Sequence, residues 1–281
     1  MISTPDKADL PRTARMLLEL SRTHCDDQCR AYHGIWGFQR LYGTLPSVAR
    51  DHSVLLGRLR KTAENGTLRV LISGSADQGI LAYVIKAFGD AGAPVDVCVA
   101  DACRTPLIVN EWYGARRGVP VTTFRGDIRS FVGRGFDLVI AHNFLNFLVL
   151  EERVAVARIW MEALRPGGHA LLFSRIKPGA PLQSRRFDED GEERLVADLL
   201  ADRFASPFSG MISARDLEDL ARAYARGRIS RNVRSSAELA EPIEAAGFEV
   251  ISLESHVSEC RSAGATVRSD RRCLLARRPF S

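Results

Sequence analysis

The chain has 281 residues, of which 46% are hydrophobic and 26% charged, and its formal net charge is +5. This length can bury one large core with an appendage, and the charged fraction is ordinary for a globular protein. No stretch approaches the roughly 18 apolar residues of a membrane span, and residues 1–16 lack the apolar core of a signal peptide. We therefore expect a cytoplasmic protein without a membrane partner, and with its six cysteines reduced.

Residues 1–66 contain no clear strand and are predicted to form an N-terminal helical cap. Apolar residues at helical spacing predict one helix over 12–30 and a second over 47–62. The aromatic stretch between them carries Tyr32, His33 and Trp36. Aromatic faces attract cations, so these three residues are candidates for covering an active site. Packing of the helices onto a sheet is the alternative role.

Cysteines and histidines at 24–33 resemble metal ligands in type but not in predicted geometry. Cys25, Cys29 and His33 fall at positions i, i+4 and i+8 of a helix predicted to include them. The outer two would lie about 12 Å apart along the helix axis, too far to share one ion. We therefore predict a buried or half-buried helix face here and no metal site.

From Leu68 onward, short apolar strands alternate with helices. Five strands are predicted at 68–73, 95–100, 121–124, 136–141 and 169–174, and helices at 80–88, 106–117 and 151–164. A helix at 236–247 and two strands at 248–257 and 271–276 close the chain. This alternation predicts an α/β domain over 67–281, with a mostly parallel seven-stranded sheet and helices on both faces.

Residues 177–234 interrupt the alternation and are predicted to be a helical insertion. Helical stretches are predicted near 195–200 and 214–225, and an acidic run occupies 188–193. We expect the insertion to pack over a sheet edge or the mouth of an active site, with disorder of the acidic run as the alternative. Its arginines favour a solvated helical face over a nucleic-acid surface, so no nucleic-acid partner is expected. They are Arg222, Arg226, Arg228, Arg231 and Arg234.

The chemistry is expected beyond the carboxyl ends of the strands, where open parallel sheets bind ligands. The loop after the first strand spaces Gly74, Ala76 and Gly79 as in a turn that lets a ligand approach the backbone. Asp101 ends the second strand, where a carboxylate commonly binds the ribose hydroxyls of a nucleoside. A helix N-cap is the alternative role of Asp101. The residues that follow the third strand, at 126–128, are placed to hold an adenine.

Five segments together resemble the class I S-adenosylmethionine (SAM)-dependent methyltransferases, which have a Rossmann-like, doubly wound fold. They read VLISGSADQG at 70–79, VAD at 99–101, RGDI at 125–128, FDLVIAH at 136–142 and LRPGG at 164–168. The last is the most specific, because in this family it turns the chain from a helix into the fifth strand. The resemblance covers 66–176 well and 236–277 loosely.

This resemblance implies SAM as cofactor and assigns roles around it. Gly74, Ser75, Ala76 and Gly79 would lie against its methionine part, with Asp77 or Gln78 near the amino group. Asp101, followed by Ala102, would hold the ribose. Gly126, Asp127 and Ile128 would hold the adenine. Ala141, His142 and Asn143 would approach the sulfonium.

The predicted reaction is methyl transfer to a small-molecule acceptor. His142 is the candidate general base, with a structural or SAM-contacting histidine as the alternative. Three other functions stay open at this point: SAM cyclisation or elimination chemistry, an NAD-dependent oxidoreductase, and a nonenzymatic SAM-binding module. The glycine spacing and Asp101 also fit the oxidoreductase, but LRPGG has no role there. A homodimer is one assembly that the sequence allows.

Overall fold

The computed structural model describes residues 4–45, 47–64, 68–185, 187–262 and 265–280. The cap contains three helices, α1 (Leu10–His24), α2 (Asp27–Tyr42) and α3 (His52–Ala63), with a 3-10 helix at Ser47–Asp51 before the third. No helix in these ranges is both long and apolar enough to cross a bilayer.

The single helix predicted over 12–30 is wrong, because the chain breaks at Cys25. Cys25 takes an extended backbone, with φ −96° and ψ 144°. Asp26 then accepts a hydrogen bond from the backbone N–H of Cys29 at 3.0 Å, as an N-cap residue does. Asp26 and Asp27 together are a helix-start signal, which apolar periodicity alone does not detect.

The sheet domain alternates as predicted. Its first part contains β1 (Leu68–Ser73), α4 (Gly79–Asp90), β2 (Val95–Asp101), α5 (Arg104–Arg117), β3 (Val121–Arg125), β4 (Phe136–His142), α6 (Leu150–Ala163) and β5 (Leu164–Arg175). β5 begins five residues earlier than predicted, and its pairing with β4 shifts register between Phe136 and Leu138. Gly167 supplies the positive φ of +77° that this irregular start requires.

The insertion contains a feature that the sequence did not predict. Besides the helices α7 (Glu189–Ala205) and α8 (Ala214–Gly227), it has two short antiparallel strands, β6 (Gln183–Arg185) and β7 (Ile229–Arg231). The acidic run forms the first turn of α7, where Asp188 accepts from the N–H of Gly191 at 2.8 Å. Acidic side chains are favourable at this end of a helix.

The insertion arginines are divided among local partners. Arg222 and Arg226 form ion pairs with Glu192 of α7. Arg231 donates to the carbonyl of Phe147 at 2.8 Å. These contacts hold α8 and β7 to their neighbours in the fold.

The chain closes with α9 (Ser236–Ala245), β8 (Glu249–Ser262) and β9 (Ala265–Arg277). The seven-stranded sheet has the order β3-β2-β1-β4-β5-β9-β8, in which β9 is antiparallel to both neighbours and the other pairs are parallel. The direction of strand order therefore reverses between β1 and β4. This is the switch point at which open α/β sheets bind ligands.

Alternate residues of the central strands pack on opposite faces of the sheet. Val70 and Ile72 of β1 contact the layer of α3, α4 and α5, whereas Leu71 contacts the layer of α6 and α9. A third apolar cluster joins α1 and α2 to α7 and α8. The insertion therefore packs on the cap, and the two together overhang the carboxyl edge of the sheet.

Candidate functional site

A cavity of about 520 Å³ lies at the switch point. This volume is within the usual range for small-molecule sites. Most of its walls come from the cap, the loops after β1, β2 and β4, and the residues that follow α8. The strands β3, β5 and β9 add Arg125, Arg175 and Arg271. The predicted site residues that line it are Tyr32, His33, Trp36, Gly74, Ser75, Ala76, Asp77, Asp101, Ala102, His142 and Asn143.

The turn after β1 makes a close approach that only glycine permits. Gly74 has φ +76°, and a Cβ there would lie 2.3 Å from the ring of Phe144. Its N–H donates to the carbonyl of Ala100 at 2.8 Å, which ties the turn to β2. The backbone of this turn is therefore fixed between β2 and the Phe144 ring at the cavity wall.

Asp101 connects the turns after β1 and β2. Its Oδ2 accepts from the N–H of Ser75 at 2.9 Å, and its Oδ1 accepts from the N–H of Cys103 at 2.8 Å. Burial raises the pKa of Asp101, although these two hydrogen bonds lower it in part. Because Cys103 is the residue that caps α5, the N-cap alternative for Asp101 is not the observed role. Each oxygen has lone-pair capacity left for a ligand hydroxyl.

Asp77 is buried in an ion-pair cluster shared with the cap. It pairs with Arg40, accepts from Trp36 Nε1 at 3.1 Å and accepts from the N–H of Gly79 at 2.8 Å. Arg40 also pairs with Asp6 at 2.9 Å, so one guanidinium serves two buried carboxylates. Counting these three charges leaves one net negative charge beside the cavity.

Three of the predicted contact residues near β1 and β4 do not line the cavity. Gln78 turns away, and its Nε2 donates to Asp6 at 2.8 Å and to Thr13 at 3.1 Å. Gly79 begins α4 under the Asp77 carboxylate, and Ala141 is buried in the sheet core. Of the two residues considered for the SAM amino group, only Asp77 is therefore beside the cavity.

Arg125, the last residue of β3, lines the cavity, whereas Gly126, Asp127 and Ile128 of the following loop do not. The carboxylate of Asp127 accepts from the backbone N–H of Arg129 at 2.8 Å and from its guanidinium. Ile128 is buried in the core cluster on the α6 side of the sheet. The adenine contacts of this loop stay a prediction, and one at Asp127 would have to replace its pairing with Arg129.

His142 has a protein partner at each ring nitrogen. Nε2 lies 2.6 Å from Asp51 Oδ2, and Nδ1 lies 3.2 Å from Asn143 Nδ2. Because the amide can only donate, Nδ1 is assigned as the acceptor and Nε2–H as the donor to Asp51. Burial lowers the pKa of His142, in agreement with a neutral ring. Proton abstraction by His142 would require one of these bonds to break.

Asn143 holds the loop after β4 in a left-handed conformation, with φ 54°. Its Oδ1 accepts from the N–H of Arg175 at 3.0 Å and from Arg271 Nη1 at 3.1 Å. Non-glycine residues with positive φ are uncommon, and asparagine is the type that tolerates it best. The amide oxygen of Asn143 therefore has two hydrogen-bond partners, and these bonds hold the loop after β4 in place at the cavity.

The sequence did not predict the buried centre at Asp51. This carboxylate accepts from His142 Nε2, from His256 Nε2 at 2.6 Å and from Arg271 Nε at 3.0 Å. Burial alone would raise the pKa of Asp51, but the two histidine hydrogen bonds and the Arg271 charge bring it well below its usual value. Its members come from the cap, β4, β8 and β9, so no local motif identifies it.

Arg228, which the sequence assigned to a solvated helical face, instead follows the end of α8 and extends the insertion into the cavity wall. Its guanidinium carbon lies 4.6 Å from the ring centre of Tyr32 and 4.3 Å from that of Phe147. Cation–aromatic contacts of this kind join the insertion to α2 and to the loop after β4. The insertion therefore reaches the cavity wall, whereas the sequence leaves a sheet edge and the mouth of a site as alternatives.

The cysteine geometry predicted from the sequence is wrong. Because the helix breaks at Cys25, Cys25 Sγ turns back to within 3.2 Å of His33 Nδ1. Cys103, which precedes α5, lies 3.3 Å from Cys25 and 3.7 Å from Cys29, measured between sulfur atoms. The two residues thought to be about 12 Å apart are therefore in contact.

No protein-family model and no curated protein matches the sequence. Several solved structures match the fold. A Galdieria sulphuraria protein described as a sarcosine dimethylglycine methyltransferase aligns with a TM-score of 0.55 and 13% identity, covering 91% of this chain and 99% of its own. The SAM-dependent methyltransferase SibL aligns with a TM-score of 0.52 and 18% identity, covering 97% and 69% respectively.

A third solved structure, of a protein that converts a disulfide bond into a thioacetal group during echinomycin biosynthesis, aligns with a TM-score of 0.51 and 18% identity. It covers 80% of this chain and 81% of its own. The identities are low, so the likeness concerns the fold. Together with the strand order and its reversal between β1 and β4, it shows that the chain has the fold of the class I SAM-dependent methyltransferases.

Proposed function

We propose that the chain binds SAM in the switch-point cavity and transfers its methyl group to a small-molecule acceptor. The observation that carries this proposal is the pairing of the Gly74 turn with the Asp101 carboxylate at adjacent strand ends, joined by the Ser75 N–H. A nucleoside whose ribose meets Asp101 would extend its 5′ substituent along the Gly74 turn. Doubly wound sheets commonly bind nucleotides in this way, at the carboxyl ends of the strands beside the switch point.

The charge beside the turn favours the methionine end of the ligand. Asp6 and Asp77 share the single guanidinium of Arg40, and Asp77 faces the cavity. A ligand ammonium near Asp77 would balance the remaining negative charge at low solvent exposure. SAM carries such an ammonium on its methionine part, whereas NADH has no ammonium to offer.

The chain's contribution to the reaction would be alignment and exclusion of water. SAM supplies a methyl group activated by the positive sulfonium, so the displacement chiefly needs an acceptor held in line. Tyr32 and Trp36 face the cavity from α2, where aromatic rings suit a cation. Arg228 lies against Tyr32 at the same wall. Because both ring nitrogens of His142 are occupied, we propose an acceptor that does not depend on proton transfer to this histidine.

Calorimetric titration of the full chain with SAM and, separately, with NADH tests the binding proposal. We expect saturable binding of SAM and none of NADH at the same concentrations. Binding of NADH without SAM would overturn the proposal in favour of the oxidoreductase. Incubation with SAM and candidate acceptors, followed by mass spectrometry, tests the reaction. S-adenosylhomocysteine supports methyl transfer, whereas methylthioadenosine without methylated product would indicate elimination or cyclisation chemistry.

A further inference from the structure

We infer that Cys25, Cys29, His33 and Cys103 form a zinc site that fastens the cap to the sheet domain beside the proposed cofactor cavity. One ligand atom from each of these four residues lies within 4.8 Å of all the others. Three cysteine sulfurs and one imidazole nitrogen are a standard donor set for a structural zinc ion. The full set of four protein ligands leaves no open coordination position.

The distances between ligand atoms match those of a zinc tetrahedron. Zn–S bonds of about 2.3 Å place two sulfurs about 3.8 Å apart, and a sulfur and a nitrogen about 3.6 Å apart. The Cys25–Cys103 and Cys29–Cys103 sulfurs lie 3.3 and 3.7 Å apart, and Cys25 Sγ lies 3.2 Å from His33 Nδ1. Side-chain adjustments of well under 1 Å would therefore complete the sphere at these three contacts.

The surroundings of the cluster favour thiolate ligands. Cys29 is in the first turn of α2, and Cys103 is the N-cap residue of α5, so two helix N-termini meet at the cluster. The positive end of a helix dipole stabilises a nearby anion. Thr105 Oγ1 lies 3.2 Å from Cys25 Sγ, where its hydroxyl can donate to a metal-bound sulfur.

The position of the cluster connects distant parts of the chain. Cys25, Cys29 and His33 belong to the α1–α2 junction, and Cys103 lies two residues after Asp101. A shared ion would therefore fix α2, with its cavity-facing aromatics, to the β2–α5 turn. The same ion would hold the Cys103 N–H against the Asp101 carboxylate.

Zinc content and zinc affinity test this inference without reference to SAM. The reduced full chain is desalted, its zinc is measured by plasma mass spectrometry, and its affinity is measured by competition with a chromogenic chelator. We expect about one zinc per chain, and for Cys29→Ser an affinity at least about tenfold weaker. Cys29 is half-buried, so this substitution should disturb the fold less than one at the buried Cys25.

Cys98→Ser is the matched control, because Cys98 is a buried thiol of β2 outside the cluster. It should keep its zinc. Cobalt substitution gives a second readout, since tetrahedral thiolate ligation produces intense visible absorption that Cys29→Ser should weaken. Failure of the reduced wild type to hold zinc against the chelator would overturn the inference. So would equal zinc loss in both variants, or a Cys25–Cys103 disulfide found by mass spectrometry in the same reduced preparation.

Discussion

His142, the last residue of β4, and Asp51, the last residue of the 3-10 helix in the cap, are joined by a hydrogen bond of 2.6 Å. Arg271 of β9 and His256 of β8 also donate hydrogen bonds to the Asp51 carboxylate. One buried side chain of the cap therefore anchors three strands of the sheet. The residue that the sequence offers as a general base is, in this arrangement, part of a structural centre.

We expect His142→Ala to lower the free energy of unfolding by roughly 1–3 kcal/mol, the loss for a hydrogen bond to a charged group. SAM affinity should stay within about tenfold, because His142 contacts Asp51 and Asn143 rather than the glycine turn. Urea unfolding and calorimetry measure the two effects. An unchanged stability combined with loss of a neutral-pH limb in the rate profile would instead identify a catalytic base.

Asp51→Asn should be more damaging than His142→Ala. It leaves the Arg271 guanidinium buried without its counter-charge, and breaking a buried pair typically costs about 3–5 kcal/mol. The native pKa of Asp51 lies below its unfolded value, so the ionised carboxylate stabilises the fold above about pH 4. This stabilisation is lost as pH falls toward the native pKa. Urea unfolding at pH 7, 4 and 3 should therefore show the difference between wild type and Asp51→Asn shrinking with acidity. A difference that is constant across these pH values would contradict the assignment.

Asp101→Ala should weaken SAM binding by roughly 1–3 kcal/mol, or about 5- to 150-fold in Kd. The reason is the loss of the carboxylate proposed to hold the ribose, together with its hold on the Ser75 N–H. Asp96→Ala is the control, since Asp96 is on the same strand but pairs with Arg69 at the surface. Equal affinities for Asp101→Ala and Asp96→Ala, both folded, would remove the ribose assignment.

Asp77→Asn tests whether this carboxylate binds the amino-acid end of the ligand rather than its nucleoside end. We expect it to weaken S-adenosylhomocysteine several-fold or more, because the ammonium loses its opposite charge. Methylthioadenosine lacks the amino-acid part, so its affinity should change little. Arg40 keeps Asp6 as a partner in this variant, which limits the structural cost. Parallel titrations provide the measurement, and an equal change for both ligands would argue against ammonium binding at Asp77.

Gly74→Ala and Gly92→Ala form a matched pair of backbone tests. Both glycines have positive φ, +76° and +63°, but a Cβ meets the Phe144 ring only at Gly74. Gly92→Ala should cost about 1 kcal/mol of backbone strain. Gly74→Ala should cost about 1–3 kcal/mol more through the clash and should impair SAM binding. Thermal unfolding and calorimetry compare them, and rescue by Phe144→Ala in the double variant would identify the clash as the cause.

The sheet was predictable because its signals are local. Apolar strand runs, a glycine turn after β1 and a carboxylate at the end of β2 can each be read within about ten residues, and β1, β2 and β4 form where these runs predict them. Asp101 and the Gly74 turn meet because parallel strands bring their carboxyl ends to one edge. Local signals therefore sufficed for the centre of the candidate site.

The remaining parts of the site depend on contacts between distant segments. Asp51 and Arg271 are 220 positions apart, and nothing near either residue in the sequence indicates the pairing. The cysteine cluster needed both the helix break at Cys25 and the arrival of Cys103 from the β2–α5 turn. Only the break had a local signal, the two aspartates that begin α2. Spacing along one assumed helix therefore gave the wrong geometry.

Four side chains of α2 that meet the sheet domain recur along a single stripe of the helix: Cys29, His33, Trp36 and Arg40. Slipping α2 by one residue would rotate this stripe by about 100° and withdraw all four together. The adjoining face of α2, which packs on α1, admits little such slippage, because at Gly37 even a methyl group would lie 2.5 Å from the backbone of Ala14. The geometry of the cysteine cluster and the geometry of the Gly74 turn therefore both depend on the position of α2. Binding of a metal ion at the cysteine cluster, or of a ligand at the Gly74 turn, would fix the position of α2 and thereby pre-organise the other site.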